Sequence, residues 1–264
     1  MKELAVRDSP PLGSYLSGLT TLGHDQSAAA PMMRRLAWRL LTPRLRYGTR
    51  LLLTKLATPL SRTVAARVGR GPQGLFLHLG CGTNHLAGWI NIDLAGTGAD
   101  ISWDLSKPLP FRSDSAAAIF HEHLLEHLPA PSAMQFLKEC HRLLRPDGVL
   151  RIAVPDFGRY LLDYARDGHY IAQTMPGRPT QLLALAEIAY GYGHRSIWDH
   201  STLILFLAEV GFDRISQCEF AQSSLETPPD SENRREQSLY VEARKPSIQD
   251  LTTPNCAPKG SRIV

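Results

Sequence analysis

Short apolar runs between residues 75 and 154 constrain the fold more than any other feature of the sequence. Gly, Pro, Asp and Asn residues bound each run, which is typical of parallel strands buried on both faces. The runs are LFLHLG (75–80), WINIDL (89–94), ADISW (99–103), AAAIF (116–120) and GVLRIAV (148–154). A helical segment at 132–144 separates the last two, and this alternation favours a doubly wound α/β sheet.

The second half of the sequence predicts further helices and two more strands. The helices are expected near residues 157–165, 181–189 and 199–210. Two strand-like runs, FDRISQCEF (212–220) and SLYVEAR (238–244), follow on either side of a polar loop. The simplest interpretation is a terminal antiparallel hairpin, which completes a seven-stranded, mostly parallel sheet.

The flanks of this domain differ in character from its centre. We expect a flexible lead at 1–30, a basic amphipathic helical extension at 31–72, the α/β domain at 73–245 and a disordered tail at 246–264. The segment 31–70 has ten Lys or Arg and no acid, which leaves −6 on the rest of a chain whose net charge is +4. Leucines recur there at helical spacing, with Pro43 and Pro59 as interruptions, so we predict two or three short helices.

Cysteine spacing and hydropathy indicate in which cellular compartment the protein is found. The four cysteines are far apart and form no C-x-x-C pair, so neither a disulfide framework nor a thiolate metal site is indicated. No apolar run approaches the roughly 18 to 20 residues needed to span a bilayer, and residues 1–30 lack the apolar core of a secretory signal. We therefore expect a cytoplasmic protein.

A glycine turn directly after the first run predicts a ligand site. In HLGCGTNH (78–85), Gly80 and Gly82 allow a tight turn and close backbone approach at the carboxyl edge of the sheet. The second run ends in Asp93, which could accept both hydroxyls of a ribose, and the third is followed by Asp104, within reach of an adenine. A dinucleotide site would need glycine where His85 stands and an acid farther along, so a ribose and adenine without pyrophosphate fit better. The alternative is that these are ordinary turn residues.

Three stretches together resemble the class I S-adenosylmethionine-dependent methyltransferases, which have a Rossmann-like fold. They are HLGCGTNHLAGWINIDL, ADISWDLSKPLPFRSDSAAAIFHEHLLEHL and FLKECHRLLRPDGVLRIAVPD. Within that class they look most like small predicted methyltransferases often associated with cell-surface polysaccharide synthesis. Only residues 83–88 separate the glycine turn from the second strand, a shortening that this subgroup shares.

The resemblance implies S-adenosylmethionine as cofactor and assigns a role to each motif residue. Gly80, Cys81 and Gly82 would lie along its methionine and ribose parts, and Asp93 with Leu94 would hold the ribose. Asp104 and Leu105 would flank the adenine, and Glu122 would face the methionine end.

The run HEHLLEH (121–127) admits two interpretations. As a helix it would place His123, Glu126 and His127 on one face, matching the H-x-x-E-H zinc pattern, so a zinc hydrolase is one alternative. Pro129 leaves too little helix for a peptidase and no third ligand is evident, so we expect no metal and assign His127 a packing role.

Candidate catalytic residues follow from the expected position of this run beside the reactive end of the cofactor. A hydroxyl acceptor needs a base, for which His123 is the first candidate and Asp156 the second, with His194 and His200 as rivals. The stretch YGYGHRSIWDH (190–200) offers aromatic and polar groups for a polyhydroxylated ligand, or is simply a loop that caps the next helix.

The expected activity is therefore methyl transfer, most simply O-methylation of a small-molecule or saccharide-type acceptor. A catalytically inactive cofactor-binding module is the alternative from another class. The basic arm at 31–70 could contact an anionic membrane surface, pack on the core as a lid, or bind nucleic acid. Nucleic acid is disfavoured because no recognised module accompanies the charge.

Overall fold

A computed structural model describes residues 12–19, 43–69 and 74–247 of the chain. Its centre is a seven-stranded sheet in the order β3-β2-β1-β4-β5-β7-β6. The strands are β1 (Leu75–Leu79), β2 (Ile90–Asp93), β3 (Ile101–Ser102), β4 (Ala116–Glu122), β5 (Leu144–Pro155), β6 (Asp213–Cys218) and β7 (Ser238–Arg244).

The strand directions confirm the predicted fold class. β3, β2, β1, β4 and β5 pair in parallel, whereas β7 runs antiparallel both to β5 and to β6. The terminal hairpin is therefore present, with β7 inserted between β5 and β6. Strand order reverses between β1 and β4, the point at which open α/β sheets bind ligands at their carboxyl edge.

Seven α-helices flank the sheet in the described part of the chain, and all but two match predicted segments. They are α1 (Leu12–Leu19), α2 (Pro43–Val68), α3 (Ala130–Leu143), α4 (Phe157–Arg166), α5 (His169–Thr174), α6 (Gln181–Tyr190) and α7 (His200–Val210). Local capping explains three of the starts, because Asp156, Thr180 and Asp199 each accept a hydrogen bond from the backbone N–H three residues on. The two unpredicted helices, α1 and α5, are short and show little periodicity.

The helix α1 lies within the segment expected to be a flexible lead. Its Tyr15 hydroxyl donates to the carbonyl oxygen of Leu183 and to Glu187, each at 3.3 Å. Both partners lie on α6, far along the chain, so the sequence around Tyr15 does not predict these contacts.

The prediction of two or three short helices in the basic extension is wrong for the part that the structure describes. Residues 43–68 form one helix, α2, which continues through Pro59. A proline inside a helix costs about 3 kcal/mol, and packing on the sheet edge offsets that cost. Ala65 is buried, and the Ser61 hydroxyl donates to the carbonyl of Ser102 in β3 at 2.9 Å. Residues 31–42 and the tail from 248 on lie outside the described residues.

The apolar core divides into two clusters. The larger fills both faces of the sheet, and the smaller lies among α4, α5 and α6, beyond the carboxyl end of β5. The smaller cluster comprises Phe157, Tyr160, Tyr170, Ile171, Met175, Ala184, Leu185 and Ile188. The carbonyl of Ile188 in this cluster accepts a hydrogen bond from His194, in the segment that follows α6. None of the described helices is long and apolar enough to cross a membrane.

Candidate cofactor and acceptor site

The glycine turn after β1 has the geometry that the sequence predicts. Gly80 and Gly82 both have positive φ, +71° and +54°, a region that side chains with a Cβ rarely adopt. A Cβ on Gly80 would lie 2.8 Å from a methyl of Leu124, whereas one on Gly82 would meet nothing within 4 Å. The backbone at Gly82 is therefore open to close approach by a ligand. Between them Cys81 is buried, which raises the pKa of its thiol to about 12, so it is no nucleophile.

Asp93 is joined directly to the glycine turn. The Gly82 N–H donates to its Oδ2 at 2.7 Å, and the Leu94 N–H donates to its Oδ1 at 2.5 Å. A carboxylate held by backbone N–H groups has a fixed orientation and keeps lone pairs for further donors. This arrangement fits a ribose held between the turn and the end of β2.

Sequence reasoning missed the third partner of Asp93, which is Arg50 of α2. Its Nη2 lies 2.9 Å from Asp93 Oδ1, and its guanidinium also donates to the carbonyls of Leu94 and Ala95. Packing of the basic arm on the core was one of three possibilities considered for the arm. No local signal distinguishes Arg50 from the other basic residues of the arm, because its partners lie more than 40 positions away.

The ends of β2 and β3 lie side by side at the expected adenine position. The Trp103 N–H donates to the Asp93 carbonyl at 2.8 Å, which brings the Asp104 and Leu105 segment next to Asp93. The Asp104 carboxylate accepts from the backbone N–H and the hydroxyl of Ser106, so it stabilises its own turn. Leu105 packs against the main core.

Glu122 ends β4 at the expected methionine position. Burial raises the pKa of its carboxyl, and its Oε1 accepts from the Ser231 N–H at 3.1 Å. The Ser231 hydroxyl in turn accepts from Asn84 at 2.8 Å. Ser231 thus bridges the segment after the glycine turn and the end of β4. It was missed because it lies in the polar loop before β7, which had no evident role.

The predicted helix at HEHLLEH does not exist. β4 continues to Glu122, His123 takes a left-handed φ of +49°, and only Leu125–His127 form a single 3₁₀ turn. His123, Glu126 and His127 therefore do not share a helical face. The strand extends because pairing with β5 continues to Glu122, which opposes Ala153.

His123 and Glu126 nevertheless lie together at the carboxyl edge. The Nδ1 of His123 is 3.5 Å from Glu126 Oε1, and its Nε2 is hydrogen-bonded to the Ser238 hydroxyl at 2.9 Å. Burial holds the pKa of His123 well below its usual value, so its imidazole is neutral at pH 7. Burial also raises the pKa of Glu126 to about 8.

Of the three other catalytic candidates, one joins this pair. His194 places its Nε2 4.0 Å from Glu126 Oε1. Asp156 instead caps α4 by accepting from the Arg159 N–H at 3.0 Å, and His200 is the first residue of α7. Asp156 and His200 thus have positions that their local helices explain.

Residues 101–152 match a family model described as a methyltransferase domain. The match runs from β3 to β5 and includes Asp104 and Glu122. No curated protein matches the sequence closely.

Solved structures with a similar fold include three distant ones. An S-adenosylmethionine-dependent methyltransferase from Archaeoglobus fulgidus is 14% identical, with 74% of this chain and 94% of that chain covered and a TM-score of 0.40. A possible histamine N-methyltransferase from Thermotoga maritima is 15% identical over 76% and 95% of the two chains, with a TM-score of 0.41. A possible exported protein from Bordetella parapertussis is 15% identical over 89% and 79%, with a TM-score of 0.44. Similarities this distant say nothing about the acceptor.

The family match includes the expected cofactor residues Asp104, Leu105 and Glu122, whereas the glycine turn and Asp93 lie before it in the sequence. Residues 101–152 are thus similar to a methyltransferase domain, and they lie in a seven-stranded, mostly parallel α/β sheet whose glycine turn is joined to an acidic strand end.

Proposed function

We propose that the enzyme methylates a hydroxyl group of a small-molecule or saccharide-type acceptor. The observation that carries this proposal is the position of His123, which directly follows Glu122 at the end of β4 and so lies beside the expected methionine end of the cofactor. A hydroxyl must lose its proton during methylation, and a neutral imidazole within reach can accept it.

S-adenosylmethionine, when bound, supplies a methyl group on a positively charged sulfur. In the transfer, the acceptor oxygen would bond to that methyl carbon and the carbon–sulfur bond would break, with its electron pair kept by sulfur. The hydroxyl proton passes to His123. Orientation contributes most to such a displacement, up to about 7 to 11 kcal/mol, and a positioned base adds about 10² to 10⁴ in rate.

Each of the expected cofactor residues would orient a different part of the cofactor. Asp93, fixed by Gly82 and Leu94, would hold the ribose hydroxyls, and Asp104 with Leu105 would flank the adenine. Glu122, beside Ser231, would face the methionine end. We keep Asp156 as the second candidate base, although its capping bond competes with that role.

Calorimetric titration with S-adenosylmethionine and S-adenosylhomocysteine tests the cofactor assignment. Asp93→Ala should lose most of the affinity, and undiminished binding would contradict the assignment. His123→Ala should keep cofactor affinity and lose turnover measured as S-adenosylhomocysteine release with a panel of hydroxyl acceptors, whereas the exposed His169→Ala should keep both. Retained turnover in His123→Ala would eliminate this histidine as the base, and turnover only with amines would refute O-methylation.

We also propose that the enzyme is cytoplasmic and contacts an anionic membrane surface through its basic arm at 31–70. Helix α2 supports this idea because its buried side consists of small residues and several of its leucines face outward. Thr54 and Ser61 are buried, whereas the outward stripe is exposed and comprises Leu45, Leu52, Leu53, Leu56 and Leu60. Exposed leucines among arginines are typical of helices that lie in a membrane interface.

Sedimentation with lipid vesicles tests this contact. The protein should bind vesicles containing an anionic lipid and lose binding in high salt or in Leu52→Ser/Leu56→Ser, while neutral vesicles should bind little. Leu205→Ser, an exposed leucine on α7, is the matched control. Equal binding of the double variant and the wild type would contradict the proposal.

A further inference from the structure

A cluster of three potential metal ligands lies beyond the carboxyl edge of β4. Glu126, His127 and His194 offer one carboxylate oxygen and two ring nitrogens, all within 4.8 Å of one another. Two come from the 3₁₀ turn after β4, and the third comes from the segment after α6. The sequence alone paired Glu126 and His127 with His123, which stands outside this group.

The buried carboxylate of Glu126 is the strongest indication that a ligand binds here. Its side chain is 2% exposed, and neither carboxylate oxygen has a hydrogen-bond partner. Buried polar groups without partners are rare in native proteins because each costs about 1 to 3 kcal/mol, and more if the group is charged. A bound cation would satisfy both oxygens at once.

His194 is oriented as a metal ligand usually is. The Nδ1 of His194 donates to the Ile188 carbonyl at 2.5 Å, which leaves the lone pair of Nε2 on the side of Glu126. Metal-bound histidines nearly always donate their second ring N–H to such a group, which fixes the tautomer and the ring. Burial lowers the pKa of His127 to about 4, and the nearby backbone of Gly193 acts in the opposite direction.

The backbone around the cluster is already assembled. The Glu126 carbonyl accepts from the N–H groups of Arg195 at 2.7 Å and Ser196 at 3.1 Å, so the two segments that supply the ligands are held together without a metal. Two charges from elsewhere act on Glu126 in opposite directions. Arg234 lowers the pKa of its carboxyl and Glu122 raises it.

We propose that Glu126, His127 and His194 bind one divalent transition-metal ion, for which Zn²⁺ is the best match. Two imidazoles and one carboxylate suit zinc, whereas Mg²⁺ and Ca²⁺ take oxygen ligands. Bonds of about 2.1 Å place tetrahedral ligands about 3.4 Å apart, so the side chains must close by little more than about 1 Å. Water completes the coordination, and the ion ties the segment at 191–198 to the end of β4. This site does not depend on the methyl transfer proposed above for its assignment, although Glu126 also contacts the proposed base, His123.

The test uses full-length protein purified without a histidine tag, stripped with chelator and reloaded with Zn²⁺ or Co²⁺. The wild type and His169→Ala should retain about one zinc per chain after desalting, and Glu126→Gln and His194→Ala should retain less than about a tenth of that. Cobalt-loaded wild type should show the intense visible bands of a low-coordinate site. The wild-type spectrum needs no variant to fold, so it decides the question if the variants are unstable.

Zinc at one equivalent in both variants would place the metal elsewhere and overturn the proposal. So would the absence of both zinc retention and cobalt bands in the wild type. Loss of zinc in the variants with cofactor affinity retained would separate this site from the cofactor site, whose failure shows only in the calorimetry.

Discussion

Replacement of Arg151 should destabilise the protein more than any other single arginine change in the described chain. Its side chain is fully buried in β5 and donates to Asp230 at 3.0 and 2.6 Å and to Glu242 at 3.3 Å. The guanidinium also bonds the carbonyls of Glu219 and Gln222 and lies 5.2 Å from the Tyr240 ring centroid. It thereby anchors the loop that carries Ser231 to the sheet.

The magnitude follows from what Arg151→Met leaves behind. Glu242 keeps partners in Ser223 and Ser224, but Asp230 keeps only the Ala221 N–H at 2.9 Å. A buried carboxylate deprived of its cation costs about 3 to 5 kcal/mol. At about 2 to 4 °C per kcal/mol for a protein of this size, we expect Tm to fall by about 6 to 20 °C.

Denaturant unfolding followed by circular dichroism measures this cost. The control is Arg214→Met, because Arg214 forms its ion pair with Asp147 at a site about half exposed, where a pair is worth about 0 to 1 kcal/mol. Arg151→Met/Asp230→Asn should recover at least half of the loss, since it removes the orphaned charge. A loss of less than about 1 kcal/mol in Arg151→Met, or no recovery in the double variant, would refute the reasoning.

Three further predictions concern the site and its surroundings. Gly80→Ala should lower the free energy of unfolding more than Gly177→Ala does in chemical denaturation. Both glycines have positive φ, but only Gly80 is packed against Leu124. Equal losses would contradict this, since they would mean that Leu124 moves aside at no cost. Arg50→Met should weaken S-adenosylmethionine binding in calorimetry by about tenfold, since it frees Asp93 and the end of β2, whereas Lys55→Met should not; tighter binding would mean that Arg50 competes with the cofactor. Burial lowers the pKa of His121 from 6.5 to about 3, so the unfolded chain takes up a proton that the folded chain refuses, and stability falls as pH drops from 6.5 toward 3. His121→Phe should reduce that slope by up to about 1.4 kcal/mol per pH unit in unfolding titrations, and an unchanged slope would contradict the assignment.

Much of the fold follows from local sequence patterns. Apolar runs with glycine and proline at their ends predicted the five parallel strands, because burial on both faces of a parallel sheet requires such runs. The bounds shifted, as at β3, which is two residues long instead of five, and at β5, which begins at Leu144. Helix α2 differs most from its prediction, because packing against the edge of the sheet outweighs the tendency of Pro59 to break a helix.

The candidate site likewise contains residues that local sequence patterns predict and residues that they do not. Gly80, Gly82, Asp93 and Glu122 could be found in sequence because the carboxyl ends of parallel strands meet at one edge, whatever the loops do. Their roles in binding and catalysis remain predictions. The residues that complete their environment come from elements far along the chain.

The sequence by itself determined the sheet and the edge at which a nucleoside is expected to bind, because strand periodicity and turn residues act over a few positions. Only the tertiary structure decided that Arg50 meets Asp93, that Ser231 reaches Glu122 and that His194 joins Glu126 and His127. Those partners are separated by more than 40 residues, and side chains so far apart meet only when whole elements pack. Packing is collective, so no local pattern encodes it.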